Sequence, residues 1–526
     1  MIRVILKKLK LHLGDKILQV EETSANEWLI RIVKKDLPEI VEFLYDNNKI
    51  RFLNMIGNDE RSISGKFALY YIFLLSDIKQ CITLKMMISE DDPTFPSLSI
   101  KLPALDWYER EVNDLLGLRA VGHPNRTPLI NHGRWDENSY PLRKDFKIVP
   151  LKYENKNNNN FMQYLGNDVT QIPVGPIHAG IIEPGHFRFG AVGEKILHLD
   201  AKLFYTHRGI EKSLEGKTLE EASFIIERIC GVCNVSHSAS FVLLAEKLSQ
   251  TKISERAQYL RVLFLELERL YNHVGDTGNI CAGFGFAVAV SQGSILKEKL
   301  LRLNEDLTGH RYLRGAIVLG GVSLDIDNND INKILRFMDD LQIEYQDLVE
   351  IIFEHEIALN RMQKTGTLTY RQVCDLEVVG VAARASGRDI DCRRDTPYLC
   401  YDKLKFAVQT TTYGDVLDRL KIRVLEVRES INIIRQILND LPNGELTVSL
   451  QNIKAYESGF AMVESPRGED CHWMMVNQDG KIYRYRISSA SYSNWPAVCL
   501  AVTSDIIPDF PLINKSFELC YACCDR

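Results

Sequence analysis

Residues 227–238 read ERICGVCNVSHS and place two cysteines, Cys230 and Cys233, three positions apart, with Arg228 just before them and His237 just after. That spacing brings both sulfurs to one side of a turn, where they can grip a common soft metal, and Gly231 between them is expected to allow a tight bend. The tail at 518–526, ELCYACCDR, repeats the device with Cys520 and Cys523. Most of the second half of the chain separates the two pairs, so a joint four-sulfur site demands a fold that wraps the tail back into the core. Spacing alone leaves three readings open: a structural zinc site, a redox or other soft-metal site, or no site. Structural zinc cysteines usually fall within one short segment, unlike these.

The chain has 526 residues, 45% of them hydrophobic and 25% charged, with a net charge of -6. That length exceeds one ordinary core, and the charge makes nucleic acid an unsuitable partner. No stretch approaches the roughly 20 apolar residues a membrane-spanning helix needs, and charges interrupt the opening MIRVILKKLKLHLGDK, so neither a span nor an export signal is expected. Attachment to a membrane through partner proteins stays open. Twelve cysteines are spread thinly rather than in a dense even framework, which points to a reducing cytoplasm.

The segment 152–163, KYENKNNNNFMQ, is polar and Asn-rich and marks a linker, expected over 151–170 between domains at 1–150 and 171–526. Before it, EWLIRIV and FALYYIFLL read as strands, LPEIVEFLYDNN and DWYEREVNDLLG as helices. After it, residues 254–271 and 415–438 repeat apolar positions every three or four residues, as helices do, and GKIYRYRISSASY returns to a β pattern after ESPRGED. The expected class is α+β: a small N-terminal α+β domain followed by a mainly helical one.

The first cysteine string resembles the metal-binding signature of nickel-iron hydrogenase large subunits, Arg-x-Cys-Gly-x-Cys-x-x-x-His. The likeness continues in HRGIEK at 207–212, in ERLYNHVGDTGNICAGFGFAVA from Glu268, in ARASGRDID from Ala383 and in the final ELCYACCDR, which are similar to the complex-I-related hydrogenases of formate hydrogenlyase type and to the related complex I 49-kilodalton subunit. Upstream, DWYEREVNDLLGLRAVGHPN and YPLRKDF resemble the 30-kilodalton subunit of respiratory complex I, a domain without a redox centre.

The resemblance implies an enzyme interconverting dihydrogen with protons and electrons at a nickel-iron centre whose iron carries carbonyl and cyanide ligands. It implies Cys230, Cys233, Cys520 and Cys523 as metal ligands, with Cys233 and Cys523 bridging to iron; the complex I homologue lacks these four cysteines and binds quinone. Cys520 is then the expected proton acceptor, Glu183 in IIEPGHFRF the gate carboxylate, and Arg467 in ESPRGED the guanidinium over the iron ligands. His237 is expected to donate to a cysteine sulfur, and Arg228 and Glu211 to support the cofactor. Taken without the resemblance, Glu183 reads as a surface or capping carboxylate, Arg467 as a solvated charge, and His237 as a satisfied core histidine. Glu211 matches a glutamate beside a magnesium ion in many hydrogenases; with Arg526 at the C-terminal place usually held by histidine, a fixed cation is expected there instead of magnesium.

Electrons are expected to leave through an iron-sulfur small subunit, since too few clustered cysteines remain here for an iron-sulfur cluster. A ferredoxin-like electron-transfer subunit, antiporter-like membrane subunits, a maturation protease and nickel-insertion proteins are the other implied partners, at the cytoplasmic face of the cell membrane. One departure stands out: Glu518 and Leu519 precede Cys520 where the family has Asp-Pro, which removes a rigid proline ahead of a ligand. Cys524 is expected to pack as a small hydrophobe, and the end at Arg526 to be a mature or naturally short terminus. The rival expectation is a non-hydrogenase scaffold or quinone-type subunit whose thiols are vestigial or bind zinc.

Overall fold

The computed structural model describes residues 14–24, 26–47, 50–135, 138–147, 168–178 and 182–526. Most of the Asn-rich linker expected over 151–170 lies outside the described residues. The chain divides into two compact units, one formed by Met1–Phe161 with Asp375–Glu377, the other by Met162–Cys374 with Val378–Arg526.

The first unit is built on a five-stranded sheet of β1 (Ile17–Ser24), β2 (Glu27–Ile32), β3 (Ile50–Glu60), β4 (Lys66–Leu75) and β5 (Gln80–Ile88), in the order β1-β2-β5-β4-β3. All neighbours run antiparallel except β2 and β5, whose connection passes through α1 (Leu37–Asn47) and two further strands. The apolar run of β4 is buried on both faces, which explains why FALYYIFLL lacks alternation. Helix α2 (Asp106–Leu116) ends on Gly117 in the left-handed region, and its amphipathic face meets β3 through Tyr108 against Phe52.

The second unit begins with a sheet of β6 (Thr170–Val174), β7 (His186–Val192) and β8 (Lys195–Lys202), and then becomes mainly helical. The short α3 (Leu219–Ile226) opens on a capping box between Thr218 and Glu221, and α4 (Asn234–Leu248) follows directly on the first cysteine pair. At the centre lies α5 (Glu255–Cys281), ten residues longer than the apolar repeat alone suggests and packed against α6 (Ala287–Thr308) and α8 (Val416–Asn439), with α7 (Asn328–Phe353) outside α6 and α8. The α5–α6 crossing is close because it is made by glycines: a Cβ on Gly278 would sit 2.7 Å from the Ala289 carbonyl oxygen and 3.0 Å from the Gly293 Cα. The polar last turns of α5 are buried because they meet partners inside the unit, His273 on Glu426 of α8 and Asp276 on Arg423 of α8 and Arg467.

A three-stranded antiparallel sheet, β9 (Ser458–Ser465), β10 (Gly468–Val476) and β11 (Ile482–Ser488), covers α4, and β10 is buried throughout. The chain then runs through α9 (Ala490–Ala501) and α10 (Phe510–Phe517) to α11 (Tyr521–Asp525), which carries the tail cysteines. Among the described residues no helix is long and apolar enough to cross a membrane.

Candidate metal centre

Two anchors fold the tail back onto the first cysteine pair, and both lie in the HRGIEK neighbourhood. The Asp525 carboxylate accepts from the backbone N–H groups of Phe204 and Thr206 at 2.8 and 3.0 Å. Arg208 donates its backbone N–H to the Arg526 carbonyl at 2.7 Å and its guanidinium to the Ile229 carbonyl at 2.6 Å, so one residue ties the tail to the residue before Cys230. Glu211, only 5% exposed, meets Arg484 at 2.8 Å and both Arg486 and Arg526 at 3.3 Å. Burial would push its carboxyl up, but Arg484, Arg526 and Arg486 together hold it at about 2. Three guanidinium groups thus surround the carboxylate that sequence reasoning associated with a cation.

With the tail so placed, the sulfurs of Cys230, Cys233, Cys520 and Cys523 all lie within 4.8 Å of one another. Their residues are 6, 4, 9 and 1% exposed, so the cluster is nearly dry. Cys230 and Cys233 sit in the turn between α3 and α4, and the Cys233 N–H donates to the Cys230 sulfur at 3.1 Å. Gly231 does not have a positive φ and a Cβ there would meet nothing within 4 Å, so the turn does not need glycine for its bend, contrary to expectation. Cys520 caps α11 and donates its N–H to the Ser491 hydroxyl at 2.9 Å, while the Ser489 hydroxyl donates to the Cys523 carbonyl at 3.1 Å. Four buried thiols that converge without disulfides suit a soft thiophilic metal, since separate protonated thiols would gain little from that crowding. Burial opposes ionisation of Cys230, but hydrogen bonds with Cys233, Cys520, Cys523 and His237 bring its thiol well below its ordinary value.

His237 is wholly buried one turn into α4, and its Nε2 lies 3.3 Å from the Cys523 sulfur. Behind it, Nδ1 faces the Asp470 carboxylate at 2.8 Å; burial would lower its pKa, but Asp470 and Cys230 hold it well above the ordinary histidine value. Glu183, on the segment leading into β7, is half-buried and accepts the Ala522 N–H at 2.7 Å, between the two tail cysteines. Arg467 is buried and forms a two-toothed ion pair with Asp276, its Nη2 3.1 Å from Oδ1. Burial would raise the Asp276 carboxyl, yet Arg467, His273 and Arg423 together bring it well below the usual carboxylate range.

Arg228 is the candidate that the fold does not bring to the cluster. Its guanidinium is half exposed, turned to the Glu227 carboxylate and the Phe224 carbonyl one helical turn back. The substituted Glu518 is half-buried in the left-handed region at φ 52° and accepts from the Asn279 side chain at 2.6 Å, while Arg423 satisfies the Ser516 and Phe517 carbonyls at 2.7 and 3.2 Å. The end of α10 is therefore held by side-chain hydrogen bonds without proline stiffness. Cys524 is completely buried.

Sequence reasoning did not find Asp276, Glu268, Asp470 or His472. Glu268 accepts the Val235 and Ser236 amides at 2.6 and 3.0 Å at the start of α4, and burial, ahead of these hydrogen bonds, pushes its carboxyl up to about 8. The one available signal was spacing: Asp276 follows His273 by three on a helix, and Asp470 precedes His472 by two on a strand, each pair sharing a face.

Comparison with known proteins agrees with this architecture. Family profiles match for the respiratory-chain NADH dehydrogenase 30 Kd subunit over 30–151, for its 49 Kd subunit over 285–460 and 453–526, and for nickel-dependent hydrogenase over 208–275. The chain is 34% identical to formate hydrogenlyase subunit 5 of Escherichia coli, over 93% of this chain and 87% of that one. It is 32% identical to hydrogenase-4 component G of the same organism, over 99% and 92%. It is also 28% identical to the C/D subunit of NADH-quinone oxidoreductase from Phocaeicola vulgatus, over 87% and 92%. With likeness of this extent to both groups, the chain belongs to the complex-I-related family of nickel-iron hydrogenase large subunits, formate hydrogenlyase-like, with a fused domain like the complex I 30-kilodalton subunit.

Proposed function

We propose that this chain is the catalytic large subunit of a membrane-associated nickel-iron hydrogenase that interconverts dihydrogen with protons and electrons. The observation that carries the reading is the dry cluster of Cys230, Cys233, Cys520 and Cys523, whose sulfurs lie within 4.8 Å of one another. By the resemblance drawn from the sequence, these four thiols are what separates a hydrogenase from the quinone-type complex I homologue. They would hold nickel, with Cys233 and Cys523 shared with an iron bearing carbonyl and cyanide; such a centre supplies heterolytic splitting of dihydrogen.

The chain's own residues then handle the proton and the charge. Cys520 accepts the proton at its sulfur, and Glu183, hydrogen-bonded to the Ala522 amide beside it, takes the proton outward. Arg467, fixed by Asp276, presents guanidinium donors to the iron's ligands. His237 donates to the Cys523 sulfur and moderates its basicity. Arg526 and its neighbours supply fixed positive charge at Glu211 in place of a magnesium ion.

In this reading 1–150 is a docking domain, 171–526 the catalytic one, and the protein is peripheral at the cytoplasmic face of the membrane. Its partners are an iron-sulfur small subunit, a ferredoxin-like electron-transfer subunit, antiporter-like membrane subunits, and the maturation protease and nickel-insertion proteins. The altered Glu518-Leu519 pair favours one rival, a scaffold or quinone-type subunit with zinc or no metal. Elemental analysis and infrared spectroscopy of the native complex separate the two. Nickel, iron and the carbonyl and cyanide bands, lost in Cys230→Ser and Cys520→Ser together with hydrogen evolution, are the expected result. Zinc alone, or no metal in matured protein, would replace the hydrogenase with the scaffold.

A further inference from the structure

Behind the cysteine cluster runs a buried ladder of polar side chains that reaches His237 through three residues the proposed reaction does not use. Asp470 and His472 stand two residues apart on β10 and so share a face, and Tyr485 comes from the neighbouring β11. His237 Nδ1 and His472 Nε2 face the same Asp470 oxygen at 2.8 and 3.3 Å and lie 3.1 Å from each other. His472 Nδ1 meets the Tyr485 hydroxyl at 2.6 Å. None of Asp470, His472, His237 and Tyr485 is more than 1% exposed, so water cannot substitute for any rung.

The contacts run without a gap from the sheet to the cluster. His237 Nδ1 and His472 Nε2 are hydrogen-bonded to each other, so one carries the hydrogen and the other accepts, and the Asp470 carboxylate lies against both. The Tyr485 hydroxyl and His472 Nδ1 close the far end. His237, with Nδ1 held between His472 and Asp470, has Nε2 alone left for the Cys523 sulfur, 3.3 Å away. Rotation of the ring would break contacts at both ends at once.

We propose that Asp470, His472 and Tyr485 are positioning residues of the metal centre, locking the His237 ring so that its Nε2–H is held on the Cys523 sulfur. The inference rests on the hydrogenase reading and extends it to three residues with no contact to the reacting atoms. A hydrogen bond to a thiolate withdraws electron density from it, and therefore from any metal it binds. Loosening the ladder leaves the sulfur a stronger donor, which sends more density into the antibonding orbitals of carbonyl and cyanide on a bound iron.

The test is infrared spectroscopy and metal analysis of the native complex carrying Asp470→Asn, His472→Gln or Tyr485→Phe. Expected are unchanged nickel content, carbonyl and cyanide bands moved to lower frequency, most in Asp470→Asn and least in Tyr485→Phe, and hydrogen evolution reduced about 10–100-fold in Asp470→Asn. Tyr485→Phe removes one oxygen from an otherwise unaltered core and keeps the test open should Asp470→Asn fail to assemble. Bands that stay put in correctly metallated variants overturn the inference and leave the hydrogenase intact. A further metal ion, stoichiometric with the chain and lost in Asp470→Asn, overturns it in favour of a second metal site at His237, Asp470 and His472. Absence of the bands from the unaltered complex overturns the hydrogenase reading itself, and this inference with it.

Discussion

Arg467 owes its position to two glycines as much as to its own partner. A Cβ on Gly380, which sits at φ 68°, would lie 2.3 Å from the Arg467 carbonyl oxygen and 2.5 Å from the Gly468 Cα, so the turn between β9 and β10 that delivers the guanidinium can approach only a glycine. Gly380→Ala combines left-handed strain of roughly 1–2 kcal/mol with overpacking of about 1–3 kcal/mol. Its expected effect is a lower unfolding temperature and loss of hydrogen evolution, read by calorimetry and gas assay; an unchanged protein would show that the contact relaxes freely. Glu183 makes the opposite case, since its hydrogen bond from Ala522 needs only an acceptor oxygen whereas proton transfer needs an ionisable group. Glu183→Gln keeps that oxygen, so nickel content should stay normal while hydrogen–deuteron exchange falls about 10²–10⁴-fold, the usual worth of a positioned acid–base group. Exchange at the unaltered rate would remove Glu183 from the proton path. Both residues were named from motif resemblance, because no property of a lone arginine or glutamate in sequence distinguishes a buried functional charge from a solvated one.

At the scale of elements, the tail helix α11 is held by charge more than by its own five residues, which are too few to be stable alone. Glu211 is the hub, with Arg526 on it beside Arg484 and Arg486. Its carboxyl is held at about 2 in the folded protein against an ordinary 4.5. The native state therefore binds fewer protons there than the unfolded state, and the stabilisation is complete above about 4.5 and fades as pH falls toward 2. Glu211→Gln leaves three buried guanidinium groups without their anion, a loss on the order of 3–5 kcal/mol at neutral pH that narrows on acidification. Denaturant unfolding at pH 7 and pH 3 checks this; a constant difference between the two would contradict it. The helix over 415–438 was legible because apolar periodicity and its Asp415 cap agree, the carboxylate accepting the Asp418 N–H at 2.8 Å. The central helix outran its reading past Tyr271 because NHVGDTGNIC is polar, and polar residues there are buried against partners from other elements that sequence cannot supply. For the same reason Asp470 and His472 went unseen on a strand buried throughout.

Across the whole second unit, the cysteine cluster joins two segments that lie far apart in the chain, so a bound metal acts as a cross-link closing a very long loop. Binding to the native state alone stabilises it by mass action, and ligands that meet only after folding couple metal affinity to the fold. The coupling should be greatest at the tail, where α11 rests on Asp525, Glu211 and the cluster, and absent from the first unit, whose one cysteine is Cys81. Thiol alkylation with mass mapping, in native complex from nickel-replete and nickel-starved cells, separates these regions. Cys520, Cys523 and Cys524 are expected to react faster in starved protein, as the tail opens from its anchors, while Cys81, 6% exposed in a sheet remote in sequence from the cluster, reacts equally in both. Equal protection of the tail in both preparations would mean that Glu211 and Asp525 hold α11 by themselves. Nickel would then enter a finished site, and the ion pairs around Arg526, rather than the metal, would fix the end of the chain.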